Sequence, residues 1–367
     1  MVSIWLLPVL AAPLLAAAAE TPSFEDFLAQ YGLSYAESEL PARRALYQQR
    51  AADITAQNSK EGRLWTAGVN EMAAATDEEL ARLRGHRAAP RSGESNATGG
   101  GGGGGVPSLR GQRPLPPPRL VDWRRHLPAV VTAVKDQGSC GSCWAFATAE
   151  VVESHVALRT GVLMDLAPQQ VASCAPPLSS GSRGCDGSNA EVGLGYVAKA
   201  GIDSQWHYPY LSGITGQTGQ CLKGAAYAKR GAGITGFNVI PANSADAMMR
   251  AVAQHGPIAV VVAAESWHFY ASGVFDACGQ GSVKLDHAVV LMGYGEAAMG
   301  GHGLVSWWLV RNSWGATWGE GGYIRPQRFP SGEPCGSDQG MRVCGECGVL
   351  FNGAHPTGGF LSHAHQA

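Results

Sequence analysis

Apolar positions follow two rhythms along the chain. Residues 39–58, ELPARRALYQQRAADITAQN, carry them at helical spacing, and no glycine interrupts from there to Gly62. A second helical stretch runs from 143 to 160, rich in alanine and valine, with Ser142 placed as an N-cap and Gly161 as a stop. Shorter helices are expected over 167–174 and about 189–199. The rhythm then changes. PIAVVVAA (257–264), HAVVLMGYG (287–295) and LVSWWLVRNSW (304–314) are short β-rich runs separated by glycines. Helices in the first half and strands in the second predict an α+β protein of two lobes, and no internal repeat is seen.

Two segments fall outside both rhythms. The opening MVSIWLLPVLAAPLLAAAAE is an apolar run ending in small residues. It reads as a secretory signal over 1–19, cleaved near Ala19, although the usual basic start is missing; a retained anchor is the alternative. Between a helix-rich 20–87 and a globular 117–367, residues 88–116 hold seven consecutive glycines (Gly99–Gly105), basic residues and a proline cluster. Such a composition buries too little surface to fold and predicts an exposed, cleavable linker. Its Asn96-Ala97-Thr98 is an N-glycosylation sequon.

Length and charge narrow the class. A chain of 367 residues, 45% of them hydrophobic, can bury two packed lobes. A formal net charge of -2 gives no basis for binding nucleic acid or an anionic membrane surface. No later stretch is apolar for long enough to cross a bilayer, so no membrane association is expected once a signal is removed. In a secreted chain the nine cysteines should pair, and the odd count leaves one over.

The stretch VKDQGSCGSCWAF raises the question of which one. Cys140-x-x-Cys143 reads as a redox pair, as half of a metal site with Cys344-x-x-Cys347, or as one structural cysteine beside one reactive one. A thiol attacks a carbonyl carbon as thiolate, and the first turn of a long helix stabilises that anion; Cys143 sits there. Such a nucleophile also needs a base, a partner to orient the base, and donors for the developing oxyanion. His287 opens an apolar strand 144 residues later, Asn312 ends another ahead of Trp314 and Trp318, and Gln137 lies six residues before Cys143.

QGSCGSCWAF, DHAVVLMGYG and RNSWGATWGEGGY closely resemble the three signature blocks of the papain-like cysteine proteases, in the family's order, over about 117–356. The resemblance implies a papain-like two-lobe fold, a helical left lobe and a β-barrel-like right lobe with the active-site cleft between them, preceded by a helical propeptide. It implies Cys143 as nucleophile, His287 as its partner in a thiolate–imidazolium pair, and Asn312 orienting His287 under the shield of Trp314. The Gln137 amide and the Cys143 backbone N–H would hold the oxyanion. This chemistry calls for no metal and no organic cofactor. A catalytically silent binding protein on the same fold is the rival reading.

By the same resemblance Cys140 pairs with Cys185, Cys174 with Cys221, and Cys278 with Cys347. Cys335 and Cys344 lie in an insert longer than the family pattern; a fourth bridge between them is our inference, with Cys344 a competitor of Cys347. Substrate selection would fall to the pocket for the second residue before the cut, walled by Val261, Leu285 and Ala288, with Asn352 near its floor, Asn189 and Ala190 at its rim, and Asp286 beside it. Gly187-Ser188 stands where the family commonly has two glycines, and Ser188 is expected to alter the pairing with substrate or narrow the cleft. No cysteine-rich insertion lies between Cys185 and Cys221, so an endopeptidase is favoured.

Residues 39–58 also match the spaced E-R-F-N-I-N pattern of cathepsin L-like propeptides at Glu39, Arg43, Ile54 and Asn58, with Tyr47 for Phe and Arg50 for Asn. GVNEMAAAT resembles the G-x-N-x-F-x-D box: Gly68 and Asn70 are kept, while Met72 replaces Phe and Ala74 replaces the acid. The resemblance implies that 20–87 is an intramolecular inhibitor covering the cleft in reverse chain direction, and that the mature protein starts near Pro117. The missing acid leaves the low-pH trigger open. Peptide and protein substrates and cystatin-like inhibitors are the expected partners, and a monomer the expected state. His363 and His365 in the tail read as a solvated end rather than a metal site.

Overall fold

The computed structural model describes residues 21–88, 116–222, 231–279 and 281–362. The signal segment, the sequon, the glycine run and both tail histidines lie outside the described residues. The N-terminal portion contains α1 (Phe24–Tyr31), α2 (Leu40–Asn58), β1 (Trp65–Ala67), a 3₁₀ turn (Glu71–Ala74) and α3 (Asp77–Arg82). Ser23 caps α1 by accepting from the Asp26 N–H, and Gly32 closes it in the left-handed conformation. On α2 the buried residues are Arg43, Tyr47, Arg50, Ile54 and Gln57, a spacing that traces one helix face.

The departures from the propeptide pattern have physical roles in this face. Tyr47 packs with Phe24, Phe27, Ala73 and Ala74. Arg50 donates to the carbonyls of Met72, Ala73 and Ala75 and pairs with Asp77. Arg43 donates to the Ala74 carbonyl and pairs with Glu39 and Glu79. The carboxylate that meets Arg43 from outside α2 thus comes from α3.

The C-terminal portion begins with β2 (Val121–Asp122), then α4 (Cys143–Thr160), α5 (Pro168–Cys174), α6 (Ala190–Ala200), α7 (Ser212–Thr215) and β3 (Ala232–Gly233). Next come β4 (Gly236–Val239), α8 (Ala245–His255), β5 (Ile258–Val262), β6 (Tyr270–Phe275) and β7 (His287–Met299). The last strands are β8 (Gly303–Arg311), β9 (Tyr323–Arg328), β10 (Cys335–Asp338), β11 (Met341–Cys344), β12 (Gly353–Thr357) and β13 (Phe360–Leu361). The expected helices are thus α4, α5 and α6, within a residue or two of their expected ends. Gly161 stops α4 in the left-handed conformation, but the Ser142 hydroxyl bonds the Tyr210 hydroxyl (2.7 Å) instead of capping.

The main sheet runs β1-β6-β9-β8-β7-β5-β12-β4, with β2 on β7; among its described strands β6 and β9 alone pair parallel. β1 enters it from the N-terminal portion, pairing antiparallel with β6, and Asn58 fixes β1 by bonding both the N–H and the carbonyl of Ala67. α4 is buried from Cys143 through Ala157. It touches α5 and α6 on one side and β5, β7 and β12 on the other, so it is the wedge between the lobes. Inside the wedge Glu150 pairs with Arg311 (3.2 Å) and Glu153 with Lys135 (3.1 Å), so neither buried carboxylate lacks a counter-charge.

Four disulfides join Cys140–Cys185, Cys174–Cys221, Cys278–Cys347 and Cys335–Cys344, leaving Cys143 as the free thiol among the described residues. The last closes the β10–β11 hairpin, which leans on the segment leading into β7: the Leu285 N–H donates to Asp338 (3.2 Å) and the Val283 N–H to the Ser337 carbonyl (3.0 Å). Replacing both hairpin cysteines by serine is expected to lower the unfolding free energy by about 2.5 kcal/mol, the scale for so short a loop. Chemical denaturation of the intact zymogen measures it; an unchanged midpoint would show that the hairpin holds without its bond.

Candidate active site

Strand pairing brings the chemistry to one end of the sheet. β7 starts at His287, its partner β8 ends at Arg311, and Asn312 follows directly, so the imidazole and the amide lie side by side. His287 Nε2 lies 2.8 Å from Asn312 Oδ1, which also accepts the Ser313 N–H (2.8 Å). An amide oxygen only accepts, so Nε2 carries the proton and Nδ1 presents its lone pair. Nδ1 is buried and has no hydrogen-bond partner. Trp314 lies against the His287 ring, 4.9 Å between centroids, and stacks in turn on His268 at 5.2 Å.

Cys143 is the first residue of α4 and is fully buried. Its Sγ accepts from the Ala288 N–H (3.4 Å) and from the Gly85 N–H of the N-terminal portion (3.3 Å). Gln137 Nε2 donates to the Leu83 carbonyl (3.0 Å) and the Cys140 carbonyl (2.8 Å), while its Oε1 accepts from Ser313 (2.7 Å). A peptide carbonyl thus already occupies the donor expected to serve the oxyanion.

Residues 83–87 cross the cleft as an irregular segment that pairs with it at one isolated bridge, His86 with Ser188. The Gly85 carbonyl accepts from the Ser188 N–H (3.0 Å), the His86 N–H donates to the Asp286 carbonyl (2.9 Å), and the Arg87 N–H donates to the Ser188 carbonyl (2.8 Å). His86 and Ser188 pair in parallel. Glycine is required on both sides of this contact: a Cβ at Gly85 would meet the Gly141 carbonyl oxygen at 1.8 Å, and one at Gly187, whose φ is +101°, would meet the Gly85 carbonyl oxygen at 2.4 Å. Arg84 completes the cover with a buried ion pair to Asp286 (3.1 Å).

Of the expected pocket residues, Ser188, Asp286 and Asn189 touch the cover directly, the last through its side-chain amide to the Arg87 carbonyl (3.5 Å). Val261 and Leu285 share an apolar cluster with Val283, Val343 and Phe351. Ala288 is buried, Asn189 caps α6, and the Asn352 carbonyl accepts from the Val261 N–H (3.3 Å). The sequence did not point to Arg84, Gly85, His268 or Ser313. A glycine flanked by basic residues just ahead of the linker was the available signal for the first two.

The cover also sets the charge state. Burial, with the Asp286 carboxylate adding to it, pushes the Cys143 thiol up to about 11. Burial, with Arg84 adding to it, pushes His287 down to about 4. Both shifts favour the neutral forms under the cover, so they oppose there the thiolate–imidazolium pair expected of the open cleft. His86, buried near Arg87 and His287, is pushed down to about 3.

A thiol at a helix head, an oriented imidazole and an amide donor, all under a peptide segment, define a thiol hydrolase held in inactive form. The chain belongs to the papain family of cysteine proteases: that family's profile matches residues 117–343, and the cathepsin propeptide inhibitor domain matches 24–80. It is 34% identical to the cysteine endopeptidase RepA of Oryza sativa subsp. japonica, over 89% of this chain and 80% of that protein. Its structure is similar to a recombinant stem bromelain precursor (TM-score 0.69, 30% identity, 91% and 97% of the two chains). It is also similar to digestive procathepsin L 3 of Tenebrio molitor larval midgut (TM-score 0.69, 28% identity, 91% and 97%). The protein is a cysteine endopeptidase made as a propeptide-inhibited zymogen.

Both histidines bind protons less readily under the cover than in an open cleft, so the covered state binds fewer protons. Its stability is whole above about pH 6.5 and is lost as pH falls toward about 4 for His287 and about 3 for His86. In a Cys143→Ser zymogen, the denaturant needed to release the cover is expected to drop across that window, and less steeply after His86→Gln. Coincident pH curves for the two proteins would remove His86 from the account.

Proposed function

We propose that Cys143 is the nucleophile, His287 its base and later its acid, Asn312 the group that orients His287, and Trp314 the shield over their bond. In the open cleft the Cys143 proton passes to His287 Nδ1, giving the thiolate–imidazolium pair, and the thiolate sulfur attacks the peptide carbonyl carbon. The oxyanion is held by the Gln137 amide and the Cys143 backbone N–H. The C–N bond then breaks as His287 protonates the leaving amine, and a thioester remains. Water attacks that thioester, giving its proton to His287; the acid product leaves and the thiol is restored. The observation that carries this reading is the seating of the cover, with the Leu83 carbonyl on Gln137 and the Gly85 N–H on the sulfur.

The cover runs parallel to Gly187–Asn189. Substrate would run the other way, along Gly187 and Ser188, with Val261, Leu285, Asp286, Ala288 and Asn352 around its second residue before the cut. The two family matches flank the linker, which supports an inhibitory propeptide over 20–87, cleavage within 88–116 and a catalytic domain over 117–367; the apolar composition of 1–19 is what supports a signal there. Four disulfides support passage through the secretory pathway to a lysosome-like compartment or the exterior. Family members are generally secreted or lysosomal. A monomer regulated by cystatin-like inhibitors completes the reading.

The test is hydrolysis of a fluorogenic dipeptide amide with an apolar second residue, after acid processing and with thiol reductant. Cys143→Ala should abolish turnover, and Gln137→Ala should lower kcat by about 100-fold, the usual scale for one oxyanion donor. Undiminished turnover in Cys143→Ala would overturn the assignment.

A further inference from the structure

The departure at Ser188 places a hydroxyl in the cleft. Ser188 is wholly buried, and its Oγ has no hydrogen-bond partner. Its backbone is fully engaged with the cover, the N–H to Gly85 and the carbonyl to Arg87, which sets it opposite His86. Directly paired strand residues project their side chains to the same face, with Cβ atoms about 5 Å apart. The hydroxyl and the imidazole therefore share one compartment. His86 is also buried, and its Nδ1 also lacks a partner.

Two buried, adjacent and unpaired polar groups are unusual, because burial removes water without replacing its hydrogen bonds. The cover fills this compartment without satisfying it. A glycine at 188 would present no such group, and the expected walls, Val261, Leu285 and Ala288, are apolar. Asn189, Asp286 and Asn352 are the other polar residues placed there, but Asn189 is engaged in capping α6 and Asp286 in bonds to Arg84 and the Ala264 N–H, whereas the Ser188 hydroxyl is buried and unpaired. A site that bonds a substrate group rejects an analogue lacking it.

We infer that Ser188 is a specificity-determining residue whose hydroxyl selects peptides with a hydrogen-bonding side chain, such as glutamine or histidine, at the position paired with it. That position is the second residue before the cut, and the inference rests on the proposed roles of Cys143 and His287. In a substrate running antiparallel to Gly187–Asn189, the paired side chain keeps the same face while the backbone direction reverses. A flexible amide or imidazole can then reach the Oγ that His86 leaves unpaired.

The experiment compares dipeptide amides differing only at that residue, glutamine against its near-isostere methionine, and histidine against leucine. It is run above pH 6.5, where a free imidazole is neutral. Active enzyme is counted with an irreversible thiol-directed titrant. The polar-to-apolar ratio of kcat/KM is expected to fall about tenfold in Ser188→Ala, the scale of one hydrogen bond. Ser188→Thr, which keeps the hydroxyl, should preserve it. An unchanged ratio in a fully titrating Ser188→Ala enzyme overturns the inference. So does a wild-type enzyme that prefers methionine to glutamine by about 100-fold or more, which needs no variant to fold. Absence of turnover on every substrate in the wild type would instead count against the catalytic reading beneath it.

Discussion

The burial of α4 between the lobes is the constraint on which the rest depends. A helix buried along most of its length can expose its first residue only at the seam of the two lobes it separates, and Cys143 is that residue. The seam then dictates where everything else must come from. The imidazole and its orienting amide arrive from adjacent strands of one lobe, at the end where β7 begins and β8 stops. The Gln137 amide arrives from the segment that enters α4, tied down by Ser313 across the seam. Paired charges from Glu150 and Glu153 to Arg311 and Lys135 hold the wedge in register.

The same burial explains why the covered enzyme is silent. Covering the seam closes the cleft, and it also withdraws water from the thiol and the imidazole, the two groups that carry charge in the proposed reaction. The thiol moves up and the imidazole moves down, so proton transfer between them to form an ion pair becomes unfavourable. Removing residues 83–87 restores solvent to both and removes Arg84, the cation that opposes protonation of His287.

Much of this was legible in the sequence because it rests on local signals. The ends of α4, the β-rich runs and the order of the signature blocks are each written within a dozen residues. The same is true of Gly187, whose positive φ lets the cover approach. What stayed hidden depends on partners far apart in the chain. Arg84 meets Asp286 across 202 positions, and Arg43 meets Glu79 across 36. Spacing along one helix shows that Arg43 and Arg50 share a face, but it does not show which carbonyls and carboxylates that face will find. The protonation state was hidden for a different reason: it belongs to the cover and the cleft together.

The loss of an acid at Ala74 therefore does not remove acid sensitivity from the inhibitor. Among the described residues, groups of two kinds respond to acid in the same direction. Arg43 holds the Glu79 carboxyl below its usual range, so that bond is present above the ordinary carboxylate pKa and is lost as acid protonates it. His86 and His287 are buried neutral, so they begin to oppose the cover once pH falls below about 6.5. The histidines act first, at the cleft, and the carboxylate acts later, in the helical part. Acid would thus loosen the segment over the sulfur before it unfolds the domain that delivers the segment, an order set by the chemistry of the groups and not by their place in the chain.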